Sequence, residues 1–373
     1  MKRRSDGLMG CGRKNKIAES SEWRIMKRKY RFGIIGCGVI ADFHAAAIRD
    51  IPNAELVAVV DRNQAKAIQL GGANHCKWYT DIKKFCEHDM DIVTVCTPSG
   101  LHKEPAVAAI RAGKHVIVEK PLDVTLKRCD AIIEAADKAG VKLAAIFPSR
   151  WSECNQLMKQ AVSSKWFGRL TLGDTYVKWW RTQEYYDSGA WRGTWKMDGG
   201  GALMNQSIHN IDLIQWFMGG VESVMAMSGL LVHKRIEVED TAVAVLKFKN
   251  GALGVIEGAT SAYPGLLKKI EIHGNQGTVI VEQDNIVFWK FAGPTPLDVK
   301  VRRMMSRKKA ATGGASDPKA ISYIGHRKQF EDFITAIEGG GKPLVDGEEG
   351  RKSVEIILAI YKSAATGKLV RLP

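Results

Sequence analysis

One short run in this 373-residue chain, Gly36-Cys37-Gly38-Val39-Ile40-Ala41, has a glycine pattern whose spacing suits phosphate binding. It follows an apolar run and opens a helical one. Gly36 permits a tight turn, Gly38 lets the backbone approach a pyrophosphate, and Ala41 lets the helix pack closely on the strand. The amino end of that helix would face the phosphates. The motif therefore predicts a dinucleotide site whose contacts are Gly36, Cys37, Gly38, Val39 and Ile40.

An acidic residue lies where the ribose of such a dinucleotide would be recognised. Asp61 ends the second apolar run, 25 residues after Gly36. A carboxylate there accepts hydrogen bonds from ribose hydroxyls and repels a 2′-phosphate, so the sequence favours NAD over NADP. Arg62 follows directly and could receive that phosphate, which leaves NADP as the less favoured alternative.

Two motifs lie at the carboxyl ends of predicted parallel strands, the edge at which such sheets bind ligands. One is Cys-Thr-Pro-Ser-Gly-Leu-His at 96–102, and the other is Glu-Lys-Pro at 119–121. A lysine at this edge could reach a substrate hydroxyl and the nicotinamide together, although an ordinary loop and a surface lysine also fit the spacing. The candidate cofactor contacts here are Thr97, Pro98, Ser99, His102, Glu119, Lys120 and Pro121.

Three consecutive glycines precede a predicted helix that carries an amide and an imidazole. Asn205 and His209 are four residues apart and share a face, and Asp212 lies on the same side. A lone histidine is more often structural, but Gly199-Gly200-Gly201 permits close approach of another group, which favours a catalytic histidine. The candidate catalytic residues are Lys120, His209 and Asn205.

An aromatic segment at 176–195 interleaves tryptophans and tyrosines with arginines. Aromatic faces stack on the apolar C–H faces of sugars, and arginines bind carboxylates or phosphates. Core packing in an irregular segment is the alternative. The candidate substrate contacts are Arg150, Trp180, Arg181, Tyr186, Trp191, Arg192, Trp195, Asn205 and His209.

The elements that must position these residues alternate between strand and helix in the first part of the chain. Val- and Ile-rich strands separated by helices predict an α/β fold with a doubly wound parallel sheet, a Rossmann domain over 30–148. The predicted strands are 31–36, 55–60, 91–96, 114–119 and 142–147, with helices that include 39–50 and 125–139.

After residue 148 the pattern changes to strands joined by short turns, which predict an α+β domain over 149–373 with an open, mainly antiparallel sheet. Asn250-Gly251 indicates a type I′ hairpin, and 292–320 is predicted to be a long loop. The predicted strands are 170–180, 221–231, 240–248, 252–259, 267–273, 277–282 and 285–291, with helices near 202–218, 322–338 and 348–366.

The formal net charge of +15 is concentrated in two short segments. Residues 1–29 hold ten Lys/Arg and three Asp/Glu, and 300–309 hold six Lys/Arg and no acid, giving +7 and +6. This distribution indicates a disordered basic extension and a solvated loop, with weak capture of an anionic substrate by the loop as an alternative. It argues against nucleic-acid binding, which needs a basic face with base-reading elements.

Cysteine spacing and hydropathy exclude other classes of protein. The seven cysteines form no C-x-x-C motif or Cys/His cluster, so we expect reduced thiols and no metal site. The chain contains no run of about 18 apolar residues, the length that a membrane-spanning helix needs. The basic amino terminus is not followed by the apolar stretch of a signal peptide. The chain is therefore expected to be cytoplasmic.

Taken together, FGIIGCGVIADFH, CTPSGLH, VEKP and GGGALMNQSIHNID resemble the Gfo/Idh/MocA oxidoreductases from about Tyr30 to Pro373. The resemblance implies bound NAD(P), a sugar-like small-molecule substrate and a homodimer or homotetramer formed through the carboxyl-terminal sheet. It implies that Lys120 contacts the nicotinamide ribose and the reacting hydroxyl and that His209 is the acid/base. Many members have Asp where this chain has Asn205, which suggests that Asn205 orients substrate.

The sequence thus predicts an NAD-dependent oxidoreductase that transfers a hydride between a secondary hydroxyl of a sugar, cyclitol or nucleotide sugar and the nicotinamide. Two alternatives use the same dinucleotide motif. One is a redox-assisted glycosidase that returns its NAD unchanged. The other is a non-catalytic dinucleotide-binding sensor, against which the presence of both Lys120 and His209 argues.

Overall fold

The computed structural model describes residues 28–306 and 322–373. The predicted disordered extension lies outside the described residues except for its last two positions, and so does the end of the basic run, residues 307–309. No helix within the two described ranges is long and apolar enough to cross a bilayer.

The amino-terminal domain contains six parallel strands. These are β1 (Tyr30–Ile35), β2 (Ala54–Val60), β3 (Lys77–Tyr79), β4 (Ile92–Val95), β5 (His115–Val118) and β6 (Leu143–Ala145), in the order β3-β2-β1-β4-β5-β6. The helices are α1 (Val39–Arg49), α2 (Gln64–Ala73), α3 (Ile82–Cys86), α4 (Lys103–Arg111) and α5 (Leu126–Ala139). The predicted Rossmann sheet is confirmed. It also contains β3, a mostly exposed edge strand with the sequence Lys-Trp-Tyr, which carries no apolar run.

Side chains that point to opposite faces of this sheet are buried in two different clusters. Ile34 and Ile117 share a buried cluster with Ile48 of α1. Val93 belongs to a second cluster with Ile132 of α5. Because both faces are apolar, both need helices, and the sheet is doubly wound.

The carboxyl-terminal domain contains an eight-stranded sheet. Its strands are β7 (Leu170–Lys178), β8 (Val221–Gly229), β9 (Thr241–Phe248), β10 (Leu253–Ala259), β11 (Lys269–Gly274), β12 (Gly277–Glu282), β13 (Asn285–Phe291) and β14 (Val370–Arg371). The order is β13-β12-β11-β7-β10-β9-β8-β14, and only β7 and β10 pair in parallel among these strands. The sheet is therefore open and mainly antiparallel, as predicted. One face is covered by α6 (Glu153–Ser163), α8 (Ile208–Met218) and α11 (Gly347–Thr366).

The described chain has three further α-helices: α7 (Gln183–Asp187), α9 (Asp298–Ser306) and α10 (Ile324–Glu338). The predicted helix at 202–218 is divided into a π-helical turn, Ala202–Ser207, and α8. This turn and α8 carry Asn205 and His209 respectively, so the two residues do not share one regular α-helix.

Two predictions about loops were wrong. The segment 292–320 contains α9, because Val301 is buried and the indole N–H of Trp289 donates to Asp298 at 3.0 Å.

The turn after β9 is not type I′, which requires positive φ at both central residues. Only Gly251 has positive φ, at 87°, and the Asn250 side chain instead donates to the Met218 carbonyl at 2.9 Å.

Helix α10 returns to the amino-terminal domain. Phe330 stacks on Phe32 of β1 with ring centroids 5.8 Å apart. The Gln329 amide bonds both the Phe147 N–H, at 3.0 Å, and the Ala145 carbonyl, at 2.7 Å. A boundary near residue 148 therefore separates the two sheets, but a helix that follows the second sheet packs on the first. The predicted domain limits stay a prediction.

Candidate functional site

The glycine motif leaves open space at the amino end of α1. Gly36 has φ of 92°, and a Cβ there would lie 2.8 Å from the Cys96 carbonyl group. A Cβ at Gly38 would meet nothing within 4 Å, and the neighbouring Val39 is 63% exposed. Because the first backbone N–H groups of a helix bind anions, this space fits the pyrophosphate of a dinucleotide.

Asp61 is held by the backbone of the same region. Its two carboxylate oxygens accept hydrogen bonds from the Cys37 N–H at 2.8 Å and the Asn63 N–H at 2.7 Å. Each oxygen keeps a second acceptor position, which suits the ribose hydroxyls. Arg62 is exposed. This arrangement fits the predicted preference for NAD.

His102, which is 1% exposed, holds the 96–102 loop through hydrogen bonds from its buried ring. The two ring nitrogens lie 2.8 Å from the Pro121 carbonyl and 2.9 Å from the Thr97 carbonyl. His102 thus connects the two strand-end motifs rather than facing a ligand. Ser99 is also buried, whereas Thr97 and Pro98 remain half-buried at the sheet edge.

Lys120 links the two domains at the site. Its ammonium donates to the backbone carbonyl of Asn205 at 2.9 Å, and its backbone N–H donates to Glu119 at 3.0 Å. The Lys120–Pro121 peptide bond is cis. Burial lowers the pKa of Lys120 from 10.5, while the charges of Glu119 and Asp198 oppose that shift.

Glu119 lies beneath Lys120 between two histidines. His44 Nε2 is 2.9 Å and His326 Nε2 is 3.6 Å from the same carboxylate oxygen. Burial would raise the pKa of Glu119, but hydrogen bonds from His326 and His44 hold it well below its usual value. The three side chains offer metal-ligand atoms within 4.8 Å of one another, as do Asp174, Glu271 and His273 on the second sheet. Within the first cluster His44 hydrogen-bonds Glu119 directly, and the absence of a metal from the site stays a prediction.

His209, the second residue of α8, feels the charge of Lys120. Its Nδ1 atom is buried without a hydrogen-bond partner among the described residues, and its ring lies edge-on to Phe147 with centroids 5.7 Å apart. Burial, followed by the charges of Lys120 and Lys268, holds the pKa of His209 well below 6.5. A buried polar atom that lacks a partner is costly, so His209 stands out among the buried side chains of this helix.

Asp212 does not support His209. Its carboxylate binds Arg150 through two hydrogen bonds of 2.8 and 2.6 Å, and Arg150 also binds Glu349 at 2.9 Å. Arg150 is 1% exposed. Asp212 therefore pairs with Arg150 rather than with His209, and Arg150, a predicted substrate contact, is engaged in an internal ion pair.

Asp198, which the sequence analysis did not select, lies beside Asn205. The Asn205 amide donates to one carboxylate oxygen, and the Gly193 N–H donates to the other at 3.0 Å. Burial raises the pKa of Asp198 despite these hydrogen bonds and the charge of Lys120. Its position directly before the three glycines was the one available signal.

The aromatic segment holds Arg192 among its own rings. Arg192 lies 4.4 Å from the ring centroid of Tyr185 and 4.5 Å from that of Trp191, and donates to the Tyr185 hydroxyl at 2.7 Å. That hydroxyl also accepts from Gln206, at 2.8 Å. No carboxylate among the described residues lies within ion-pair distance of Arg192.

The other predicted substrate contacts are engaged within the protein to different degrees. Arg181 is 3% exposed and donates to Gln206 at 2.9 Å. Tyr186 is buried, with its hydroxyl 2.8 Å from that of Thr260. Trp180 packs edge-on to Tyr263, and Trp195, which is 46% exposed, packs edge-on to Tyr361.

Comparison with known proteins identifies both domains. The NAD-binding Rossmann fold of an oxidoreductase family matches residues 30–147, and the GFO/IDH/MocA C-terminal domain matches residues 155–280. Myo-inositol 2-dehydrogenase of Thermotoga maritima is 28% identical over 92% of this chain and 98% of its own.

Two crystal structures of WlbA dehydrogenases, both in complex with NADH and UDP-GlcNAcA, are similar over nearly their whole length. The Bordetella pertussis protein is 36% identical with a TM-score of 0.83, covering 93% of this chain and 99% of its own. The Chromobacterium violaceum protein is 35% identical with a TM-score of 0.84, covering 94% and 97%. These relatives confirm the predicted enzyme class, a dehydrogenase acting on CH–OH groups, and NAD as its cofactor. The chain therefore belongs to the Gfo/Idh/MocA family of NAD-binding oxidoreductases.

Proposed function

We propose that this enzyme oxidises a secondary hydroxyl of a negatively charged nucleotide sugar, or catalyses the reverse reduction. The observation that carries the reaction is the Lys120 ammonium, bonded to the Asn205 carbonyl at 2.9 Å next to the turn that leads into His209. Bound NAD supplies the hydride acceptor. The protein's part is to orient the hydroxyl and to manage its proton and charge.

His209 is the proposed base. Because its pKa is held well below 6.5, the ring is neutral at neutral pH and can accept the hydroxyl proton. The Lys120 ammonium stabilises the negative charge that develops on the same oxygen. Asn205 cannot take a proton, and its amide is fixed by Asp198, so its proposed role is to orient the substrate.

A negatively charged substrate is supported by the cations at the site. Arg192 has no carboxylate partner among the described residues, and Lys268 lies near enough to His209 to lower its pKa without making an ion pair in the described part of the chain. The similarity to two proteins crystallised with UDP-GlcNAcA, which carries a diphosphate and a carboxylate, supports the same class.

A substrate panel tests this proposal. NADH formation would be measured with UDP-N-acetylglucosaminuronic acid, UDP-N-acetylglucosamine, myo-inositol and levoglucosan at equal concentrations. The expected result is the highest kcat/KM for the UDP-uronic acid, which carries a carboxylate in addition to its diphosphate. A higher kcat/KM for either uncharged compound would contradict the proposed substrate class while leaving the dehydrogenase assignment in place.

We also propose that the uncovered face of the second sheet contacts another copy of the chain. Met227 is 80% exposed, and Val245 and Leu253 are 55% and 57% exposed on the side away from α8 and α11. Contiguous apolar surface of this kind is unusual on a monomer. The proposal agrees with the expected homodimer or homotetramer.

A further inference from the structure

Glu239 is a buried carboxylate beside the site to which the proposed reaction gives no role. It lies between β8 and β9 and is 5% exposed. Within the described residues no lysine, arginine or histidine makes an ion pair with it. A buried carboxylate without a countercharge is costly unless hydrogen bonds stabilise it.

Three donors converge on the Glu239 side chain. One oxygen accepts from the Gly201 N–H at 2.9 Å, and the other accepts from the Leu203 N–H and the Tyr361 hydroxyl, each at 2.9 Å. The Glu239 backbone carbonyl also accepts from the Ala202 N–H at 3.1 Å. One residue thus satisfies the first N–H groups of the π-helical turn.

This contact explains two of the three glycines. A Cβ at Gly201 would lie 1.8 Å from the Glu239 carbonyl oxygen, and a Cβ at Gly200 would lie 2.1 Å from the Tyr361 hydroxyl. The glycines therefore let Glu239 and Tyr361 approach the turn as closely as the hydrogen bonds require.

The turn connects Glu239 to Lys120 by a short path. The Asn205 N–H donates to the Gly201 carbonyl at 3.1 Å, and the Asn205 carbonyl accepts from the Lys120 ammonium at 2.9 Å. A shift of the backbone at Gly201 would therefore move the oxygen that orients the Lys120 ammonium.

We propose that Glu239 is a positioning residue for Lys120: its carboxylate fixes the turn at 201–203, and the turn holds the Asn205 carbonyl that orients the ammonium. This inference rests on the proposed function because it assumes that Lys120 acts on the substrate hydroxyl. Glu239 would act through the turn, without contacting the substrate itself.

The ionisation of Glu239 offers a readout. Burial raises its pKa to about 7, although the hydrogen bonds from Leu203, Tyr361 and Gly201 oppose that shift. The three groups that contact the Glu239 side chain all donate hydrogen bonds to it. A protonated carboxyl has a hydrogen on one oxygen, so protonation weakens the hydrogen bonds that hold the turn. Tyr361 on α11 and, more distantly, Tyr186 are the titratable groups that face it; the adjacent Asp240 is paired with His233.

The test replaces Glu239 by Gln, with Glu222→Gln as the matched control, since Glu222 is a half-buried carboxylate on β8 that is paired with Lys247. Glu239→Gln is expected to lower kcat about tenfold or more, as loss of a buried acceptor does, while KM changes little because Arg192 and its neighbours are untouched. In the wild type, kcat should fall as pH decreases through neutrality, because Glu239 becomes protonated. This fall should disappear in Glu239→Gln. In Tyr361→Phe it should occur at higher pH, because the lost hydrogen bond had lowered the pKa of Glu239. Wild-type kcat and pH profile in a folded Glu239→Gln protein would overturn the proposal.

A measurement without substrate separates this proposal from the proposed function. The rate at which an amine-reactive reagent labels Lys120, relative to Lys127 in the same sample, reports whether the ammonium is still held by Asn205. Glu239→Gln should raise this ratio and Glu222→Gln should not. An unchanged ratio would overturn the positioning role even if no sugar proves to be a substrate, whereas an increased ratio with no turnover by wild type would contradict the proposed function alone.

Discussion

Lys120 and His209 come from different domains and meet because each follows a defined element. Lys120 follows β5 at the ligand-binding edge of the Rossmann sheet. His209 is the second residue of α8, after the π-helical turn. The carbonyl of Asn205 joins them by accepting from the Lys120 ammonium. In the proposed reaction the ammonium stabilises the charge on the hydroxyl oxygen and the neutral ring accepts its proton.

Replacing Lys120 by Ala should separate catalysis from cofactor binding. Loss of one positioned charged donor costs on the order of 10²–10³ in rate, so kcat should fall by about that factor. The affinity for NAD should stay nearly unchanged, because the phosphates are bound at the amino end of α1. Steady-state kinetics and calorimetric NAD binding would measure both, with Lys127→Ala as the exposed control; a near-normal kcat would remove Lys120 from the reaction.

The alkaline side of the pH profile should report Lys120. Because burial lowers its pKa from 10.5, the ammonium is lost as pH rises through a value below 10.5, and kcat/KM should fall there. In Lys120→Arg the guanidinium stays protonated, so the residual activity should show no such fall. A profile of kcat/KM against pH for both proteins checks this, and an unchanged alkaline fall in the variant would assign it to another group.

Local spacing was enough to predict Gly36, Asp61 and Lys120 as residues at strand ends, because a strand-to-helix motif is contiguous in sequence. Asp198 and Glu239 could not be predicted in the same way. Glu239 reaches Gly201 only through the pairing of β9 with β10 and the packing of α11, which no short window of sequence contains. Their roles stay predictions, as do those of the motif residues.

At the scale of elements, the π-helical turn at 202–207 is the least regular part of the site. It widens the helix at Asn205, and the Asn205 carbonyl in this turn accepts the hydrogen bond from the Lys120 ammonium. The sequence predicted one continuous helix over 202–218, because no proline or glycine interrupts that stretch. The glycines before it indicated a close approach, but not that the approaching groups are Glu239 and Tyr361.

Gly201→Ala should disturb this turn directly. The new Cβ would lie 1.8 Å from the Glu239 carbonyl oxygen, and steric insertions of this kind cost about 1–3 kcal/mol. The free energy of unfolding in urea should fall by that amount, and kcat should fall with it. Gly72→Ala in α2, where a Cβ meets nothing within 4 Å, is the control and should be neutral or slightly stabilising. Equal stability of Gly201→Ala and wild type would show that the turn tolerates the methyl group.

At the scale of the whole molecule, the site lies where the edge of one sheet meets the covering helices of the other. α10 and α11 follow the second sheet in sequence, and both also pack on elements of the amino-terminal domain. Sequence patterns distinguished the two sheets because buried parallel strands are uniformly apolar and half-exposed antiparallel strands alternate. They could not show how α10 returns to β1, since that contact joins Phe330 and Phe32 across almost the full chain.

The uncovered sheet face gives a prediction about assembly. Met227→Asp combined with Val245→Asp places two charges on that face and should convert an oligomer into monomers, because burying unpaired charge at an interface is strongly unfavourable. Sedimentation velocity of wild type and the double variant would measure it. Ile68→Asp, on the exposed side of α2, should leave the mass unchanged; a monomeric wild type would contradict the proposed contact.

The central claim is net oxidation of a sugar hydroxyl by NAD at the Lys120–His209 site, and one measurement tests it most directly. UDP-N-acetylglucosaminuronic acid deuterated at its ring carbons would be incubated with the enzyme and excess NAD, and the nucleotide and sugar products would be analysed by mass spectrometry. The account predicts one deuterium in each NADH formed and an equal amount of intact keto-sugar nucleotide, both abolished in Lys120→Ala. Release of free sugar without net NADH would indicate the glycosidase instead, and tight NAD binding with neither product from any sugar tested would indicate a sensor.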